Sequence, residues 1–81
     1  MKTRQEKSFE PKVDRKAVAR RIREIRGFDL TQGEFARKLG VSQAMLSKYE
    51  RGQNTPTLDI FLKLKAFSGR SIDWIVTGEG G

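Results

Sequence analysis

The tightest constraint on this chain is the stretch Leu39-Gly40-Val41-Ser42, where one helix must stop and another must start almost at once. Glycine enters the left-handed conformation that closes a helix without a Cβ penalty. Serine is among the best N-cap residues, because its hydroxyl accepts from a backbone N–H that has no partner inside the helix. Just upstream, Thr31-Gln32-Gly33-Glu34 has the form of a capping box: the Thr31 hydroxyl accepts from the N–H of Glu34, and the Glu34 carboxylate accepts from the N–H of Thr31. A short helix carrying Phe35, Ala36 and Leu39 is therefore bounded at both ends. A second follows, with Leu46 and Tyr49 as its inner stripe, Met45 at its edge and Gly52 as its stop. Two short helices joined by a tight glycine turn form a helix-turn-helix unit.

The rest of the chain reads as helices punctuated in the same way. Val18, Ile22 and Ile25 fall at i, i+4 and i+7, one stripe of a helix that Asp14 or a neighbour starts and Gly27 ends. After a loop over residues 53–56, Thr57 is expected to cap a helix with Leu58, Phe61, Leu64 and Phe67 inward, ended by Gly69. Ser71 caps a short last helix with Ile72, Trp74 and Ile75. Strand alternation, repeats and low-complexity tracts are absent from the sequence. The expected fold class is all-α, a compact bundle of five helices. Residues 14–77 form the domain, 1–13 a flexible basic arm, and 78–81 a frayed tail or the start of a linker.

Composition removes most chemistries. At 81 residues the chain is one domain, and it buries only about 60–65% of the surface it would expose unfolded. It has no cysteine and no histidine, so disulfides, zinc sites, thiol nucleophiles and histidine proton transfer are excluded. No metal and no cofactor is expected. Paired carboxylates, a Gly-rich phosphate loop and a nucleophile–base set are all missing, so neither an enzyme nor a small-molecule substrate is expected. No segment could span a membrane, and the N-terminus lacks the apolar run of a signal peptide, so a cytoplasmic protein of a prokaryotic cell or a phage-infected host is expected. The net charge of +7 is unevenly placed: up to Arg26 there are ten basic and four acidic residues, and beyond it seven and six. That skew fits a polyanionic partner such as nucleic acid, against the plainer reading of a charged arm that aids solubility.

The segment Leu30-Thr31-Gln32-Gly33-Glu34-Phe35-Ala36-Arg37-Lys38-Leu39-Gly40-Val41-Ser42, continued by Leu46-Ser47-Lys48-Tyr49-Glu50-Arg51-Gly52 and Pro56, resembles the helix-turn-helix of the lambda repressor-like (phage Cro/cI, XRE) family. The ending Ile72-Asp73-Trp74-Ile75-Val76-Thr77-Gly78-Glu79-Gly80 is similar to the last helix of phage repressor N-terminal domains. The likeness covers roughly residues 18–80. The motif positions are Thr31, Gln32, Ala36, Gly40, Val41, Ser42, Leu46 and Tyr49, with Ala36 small where the two helices cross. The chain departs from the family pattern at Lys65, Ser68 and Arg70, where small or apolar residues are usual. A register change bringing Ala66 and Phe67 inward would compensate.

If Leu46 and Tyr49 hold the second helix from behind, its open face is Gln43, Ala44, Ser47 and Lys48. These are the candidate base-contacting residues: glutamine pairs bidentately with adenine, lysine with guanine, and an alanine methyl fits a thymine methyl. Each is also an ordinary solvent-facing helix residue, and only the helix-turn-helix context favours a reading role. Met45 is expected to pack rather than read, and Tyr49 and Trp74 to be core. Candidate phosphate contacts are Gln32, at the positive end of its helix, and Ser42, Arg51, Gln53, Asn54 and Thr57, which flank the reading helix. The resemblance implies backbone-contacting roles for Gln32 and Asn54. It also implies that Arg26 pairs with Glu50 and is aimed at a phosphate, where the alternative is two unconnected surface charges.

The resulting expectation is sequence-specific binding of double-stranded DNA by a transcriptional regulator, in first place a phage-type repressor that reads a pseudo-palindromic operator as a homodimer, at least on DNA. The competing reading is an antitoxin or other protein-interaction module that carries a helix-turn-helix. It needs a large exposed apolar patch or a foldable tail, and Phe9 and Val13 are too sparse to supply either.

Overall fold

In the computed structural model, which describes Phe9 and residues 11–80, the chain forms five helices and, among the described residues, no strand. They are α1 (Arg15–Arg26), α2 (Gln32–Leu39), α3 (Gln43–Glu50), α4 (Leu58–Ser68) and α5 (Ile72–Thr77). Of the basic arm expected over residues 1–13, residues 1–8 and 10 lie outside the described residues.

Each helix starts where a short polar side chain can accept from its first turn. Asp14, Thr31, Ser42, Thr57 and Ser71 accept from the backbone N–H of Ala17, Glu34, Met45, Ile60 and Trp74, respectively. The capping box is complete: Glu34 N–H donates to Thr31 Oγ1 at 3.1 Å, and Thr31 N–H to Glu34 Oε1 at 2.9 Å. The Glu34 carboxyl is held below its ordinary pKa, first by that backbone donor. Gly40 adopts φ 72°, ψ 29°, and the N–H of Val41 reaches back to the Ala36 carbonyl at 3.0 Å, closing α2 before Ser42 opens α3.

The core gathers one face from every helix: Val18 and Ile22, Phe35, Ala36 and Leu39, Leu46 and Tyr49, Ile60, Phe61 and Leu64, and Ile75. α1 lies against α3 and α5, while α4 lies against α2 and α5. Ala17 and Ala19 are buried too, and these small side chains let neighbouring helices come close to α1. Gly52, at φ 74°, shows how close: a Cβ there would sit 3.2 Å from the Arg15 carbonyl oxygen. Arg21 fastens the far side of α1, its Nη1 donating to the carbonyls of Ile75 and Val76 at 3.1 and 3.2 Å. Those carbonyls lie in the last turn of α5, where a cation also meets the negative end of the helix dipole.

Helix α4 differs from the expectation. Leu58 is 68% exposed and Phe67 42% exposed, while Ile60 is buried in their place. Ala66 is exposed as well, so the register change proposed to compensate for Lys65 and Ser68 does not occur. The buried set is Ile60, Phe61 and Leu64, a stripe rotated from the one that begins at Leu58. Phe67 keeps one core contact, its ring centroid 5.2 Å from that of Phe35. Trp74 is only half-buried, with the Arg70 guanidinium 3.8 Å from the ring centroid. No helix among the described residues is long and apolar enough to cross a membrane.

Candidate nucleic-acid interface

The helix-turn-helix leaves one side of α3 to solvent. Leu46, Tyr49 and Glu50 are buried behind it. Gln43, Ala44 and Lys48 are exposed and Ser47 is half-exposed, which sets the four candidate base-contacting residues on the open face. Met45 is half-buried, and its sulfur accepts from Asn54 Nδ2 at 3.7 Å, so it packs rather than faces outward.

Glu50 is the centre of the arrangement. Among the described residues it is the buried charged one, 3% exposed, so it must be paired. Arg26 supplies the partner in a two-pronged contact: Nε to Oε2 at 2.8 Å and Nη2 to Oε1 at 3.0 Å. This excludes the alternative of two unconnected surface charges. The hydrogen bond to Glu50 also raises the pKa of Arg26 above its ordinary value. The third guanidinium nitrogen, Nη1, donates to the Leu30 carbonyl at 3.1 Å. All three nitrogens of Arg26 therefore have internal acceptors, while Nη1 and Nη2 each keep one further N–H and the side chain stays 23% exposed.

The network continues outward from Glu50. Gln32 Nε2 donates to Glu50 Oε1 at 3.0 Å, which fixes the amide at the N-terminus of α2. Gln32 Oε1 in turn accepts from Gln43 Nε2 at 3.4 Å, a long and weak bond at the exposed end. Arg26, Glu50, Gln32 and Gln43 thus form one chain from α1 to the open face of α3. Its bonds are short toward the core and long toward solvent.

Of the flanking residues, Arg51 Nη2 donates to Gln53 Oε1 at 3.4 Å, and both side chains are exposed. Thr57 is exposed, Asn54 is half-exposed, and Ser42 uses its hydroxyl as the cap of α3. The structure adds two residues that the sequence reading missed. Arg23 donates through Nη1 to the Glu50 carbonyl, a second tie from α1 to the end of α3. The spacing of Arg23 and Arg26, one helical turn apart, was the available signal. Gly33 is the other: a Cβ there would lie 3.2 Å from Gln43 Oε1, so the missing side chain is the space that Gln43 occupies.

The sequence pattern of the helix-turn-helix family matches residues 20–75, well over half of the chain. The chain belongs to this helix-turn-helix family. Among curated relatives, an HTH-type transcriptional regulator of Haemophilus influenzae is 35% identical over 46 residues, 57% of this chain and 19% of the relative. An HTH-type transcriptional regulatory protein of Picrophilus torridus is 42% identical over 53 residues, 65% of this chain and 16% of the relative. The chain thus spans less than a fifth of the length of either. Among solved structures, the P22 c2 repressor in complex with a synthetic operator aligns with a TM-score of 0.70 at 27% identity, covering 76% of this chain and 96% of that one. The restriction-modification controller protein C.AhdI from Aeromonas hydrophila aligns at 0.66 and 27% identity, covering 76% and 91%. This helix-turn-helix domain therefore shares its five-helix fold with repressor and controller proteins. The lambda repressor-like character expected from residues 30–52 stands.

Proposed function

We propose that the protein is a transcriptional regulator that binds double-stranded DNA in a sequence-specific way, acting as a repressor at a pseudo-palindromic operator with one copy on each half-site. The observation that carries this reading is the open face of α3. Gln43, Ala44, Ser47 and Lys48 stand there with short or hydrogen-bonding side chains, and Glu50 anchors the helix from behind. A helix presented in this way fits the DNA major groove, and one such helix reads too few base pairs for specificity, hence two copies. The similarity to a repressor solved on an operator supports the same direction. So does the net charge of +7.

In this reading Gln43 and Lys48 make the hydrogen bonds to base edges and the Ala44 methyl meets a thymine methyl. Gln32, Ser42, Arg51, Gln53, Asn54 and Thr57 face the flanking phosphates, Ser42 and Thr57 by the backbone N–H groups they cap. Arg26 positions Glu50 with three of its five N–H groups bonded inside the protein, and offers the remaining two, one each on Nη1 and Nη2, to a phosphate. Residues 1–13 act as a basic arm that adds affinity for any DNA. The experiment is selection of binding sites from random duplex DNA, followed by titration at one fixed salt concentration. Gln43→Ala is expected to lose about 1–3 kcal/mol on the selected operator and little on random DNA. Equal losses on both, with the fold intact, would remove Gln43 as a base reader.

A further inference from the structure

Helix α1 carries a row of cations that the interface described above does not use. Lys16, Arg20 and Arg23 stand at i, i+4 and i+7, one line along the helix, and all three are exposed. The line lies opposite the buried stripe of Val18 and Ile22. Both of its ends border the C-terminal end of the reading helix. Arg23 Nη1 donates to the Glu50 carbonyl, in the last turn of α3. At the other end, the Lys16 Cα lies 3.3 Å from where a Gly52 Cβ would stand, so Lys16 adjoins the loop that holds Arg51, Gln53 and Asn54. Arg20 stands between the two.

The carboxylates near this row are committed elsewhere. Asp14 accepts from the N–H of Ala17 at 3.1 Å. Glu24, one turn beyond Arg20, reaches Arg70 at 3.5 Å. Glu50 is buried against Arg26. Among the described residues the row has no acidic partner. Like charges one turn apart disfavour a helix, so the row weakens α1 in the free protein and is relieved when anions lie along it.

We infer that Lys16 and Arg20, continued by Arg23 and Arg51, form a second track for the phosphate backbone of duplex DNA, along the strand that borders the C-terminal end of α3. It is separate from the phosphate contact proposed at Gln32, which lies beside Gln43 at the other end of that helix. From Lys16 to Arg23 the helix advances about 10 Å, and one strand carries a phosphate about every 3.4 Å of duplex axis. The row therefore faces consecutive phosphates. Because it is set on a helix, its cations are in place before DNA arrives. Phosphate contacts position without specifying sequence, so the track adds affinity for operator and random DNA alike. The inference deepens the proposed DNA reading and rests on its docking of α3, and the test separates the two.

Two double variants remove the same charge from different places. Lys16→Gln with Arg20→Gln empties the track. Lys38→Gln with Lys65→Gln takes two exposed cations from α2 and α4. Affinity for the selected operator and for random duplex is titrated over a series of salt concentrations. The track variant is expected to weaken both duplexes by the same factor, and to lower the slope of log affinity against log salt by about one per cation. The control pair is expected to keep the wild-type slope. The track variant should melt no lower than the wild type, since like charges have been removed. Should it unfold, the single substitutions Lys16→Gln and Arg20→Gln replace it, each expected to lower the slope by about one. An unchanged slope in the track variant, or an equal fall in the control pair, would overturn the track while leaving operator selection intact. If the wild type binds random duplex but selects no sequence, the operator reading falls, and the slope of the track variant on random DNA still decides the track. Absence of binding to any duplex overturns both.

Discussion

The surroundings of Glu50 and the outer face of α4 spend the same kind of material in opposite ways. Around Glu50, a charge that water would normally solvate is 3% exposed, and its carboxylate accepts from Arg26 and Gln32. On α4, leucines that a core would normally take remain in water. A buried ion pair contributes little net stability, because desolvation offsets most of the attraction, but it holds a defined geometry. An exposed leucine costs the monomer little. The first region fixes where α3 points. The second leaves the fold unaltered and keeps its apolar area in water.

This contrast breaks first at Glu50. Glu50→Ala leaves Arg26 and Gln32 without their acceptors, and removing one member of a buried pair costs about 3–5 kcal/mol. The low end is expected, because the Arg26 side chain is 23% exposed and can recover water. Urea unfolding checks this, and a loss well under 1 kcal/mol would show the network to be incidental.

Gly33→Ala sharpens the comparison from the other side. Within a helix, alanine in place of glycine is worth about 0.5–1 kcal/mol. The new Cβ, however, falls 3.2 Å from Gln43 Oε1 and displaces that amide. The domain should melt at an equal or higher temperature while discriminating less well between operator and random DNA. Improved discrimination would mean that Gln43 is not aimed by this contact.

Leu58→Ser should change the stability of the free domain by less than about 0.5 kcal/mol, since the side chain is mostly in water already. A larger loss in thermal or urea unfolding would give Leu58 a core role that its exposure does not suggest.

The smallest effect concerns acid. Glu34 has a lowered pKa in the folded state, so its contribution is full at neutral pH, where it is ionised in both states. It is lost as pH falls from the ordinary carboxylate value through the lowered folded one. Comparing the wild type with Glu34→Gln in unfolding experiments across that window should show a gap that closes with acidification. A gap independent of pH would place the capping effect in shape rather than charge.

Residues that act on their own neighbours were legible in advance. Thr31, Glu34, Gly40, Ser42, Thr57 and Ser71 bound the helices where their hydroxyls, carboxylate or missing Cβ required, and this was enough to locate the helix-turn-helix and its open face. The stripe of α4 was misjudged because spacing at i, i+3 and i+4 admits two neighbouring faces. Leu58 joins Phe61 at i+3 on one face, Ile60 joins Leu64 at i+4 on the next, and only contact with α1, α2 and α5 selects the second.

The linear chain by itself determined where helices start and stop, that five of them form, and which small set of polar residues the second helix of the motif could offer. These follow from bonds between residues three or four positions apart, whose geometry any helix repeats. Tertiary structure alone decided that Arg23 joins Arg26 at Glu50, that Gln32 links that pair to Gln43, and that Gly33 makes room for Gln43. It also decided which side of α4 remains in water. Those contacts join residues distant in sequence, and their distances depend on how closely helices approach, a quantity set by the packing of all five helices at once rather than by any one of them.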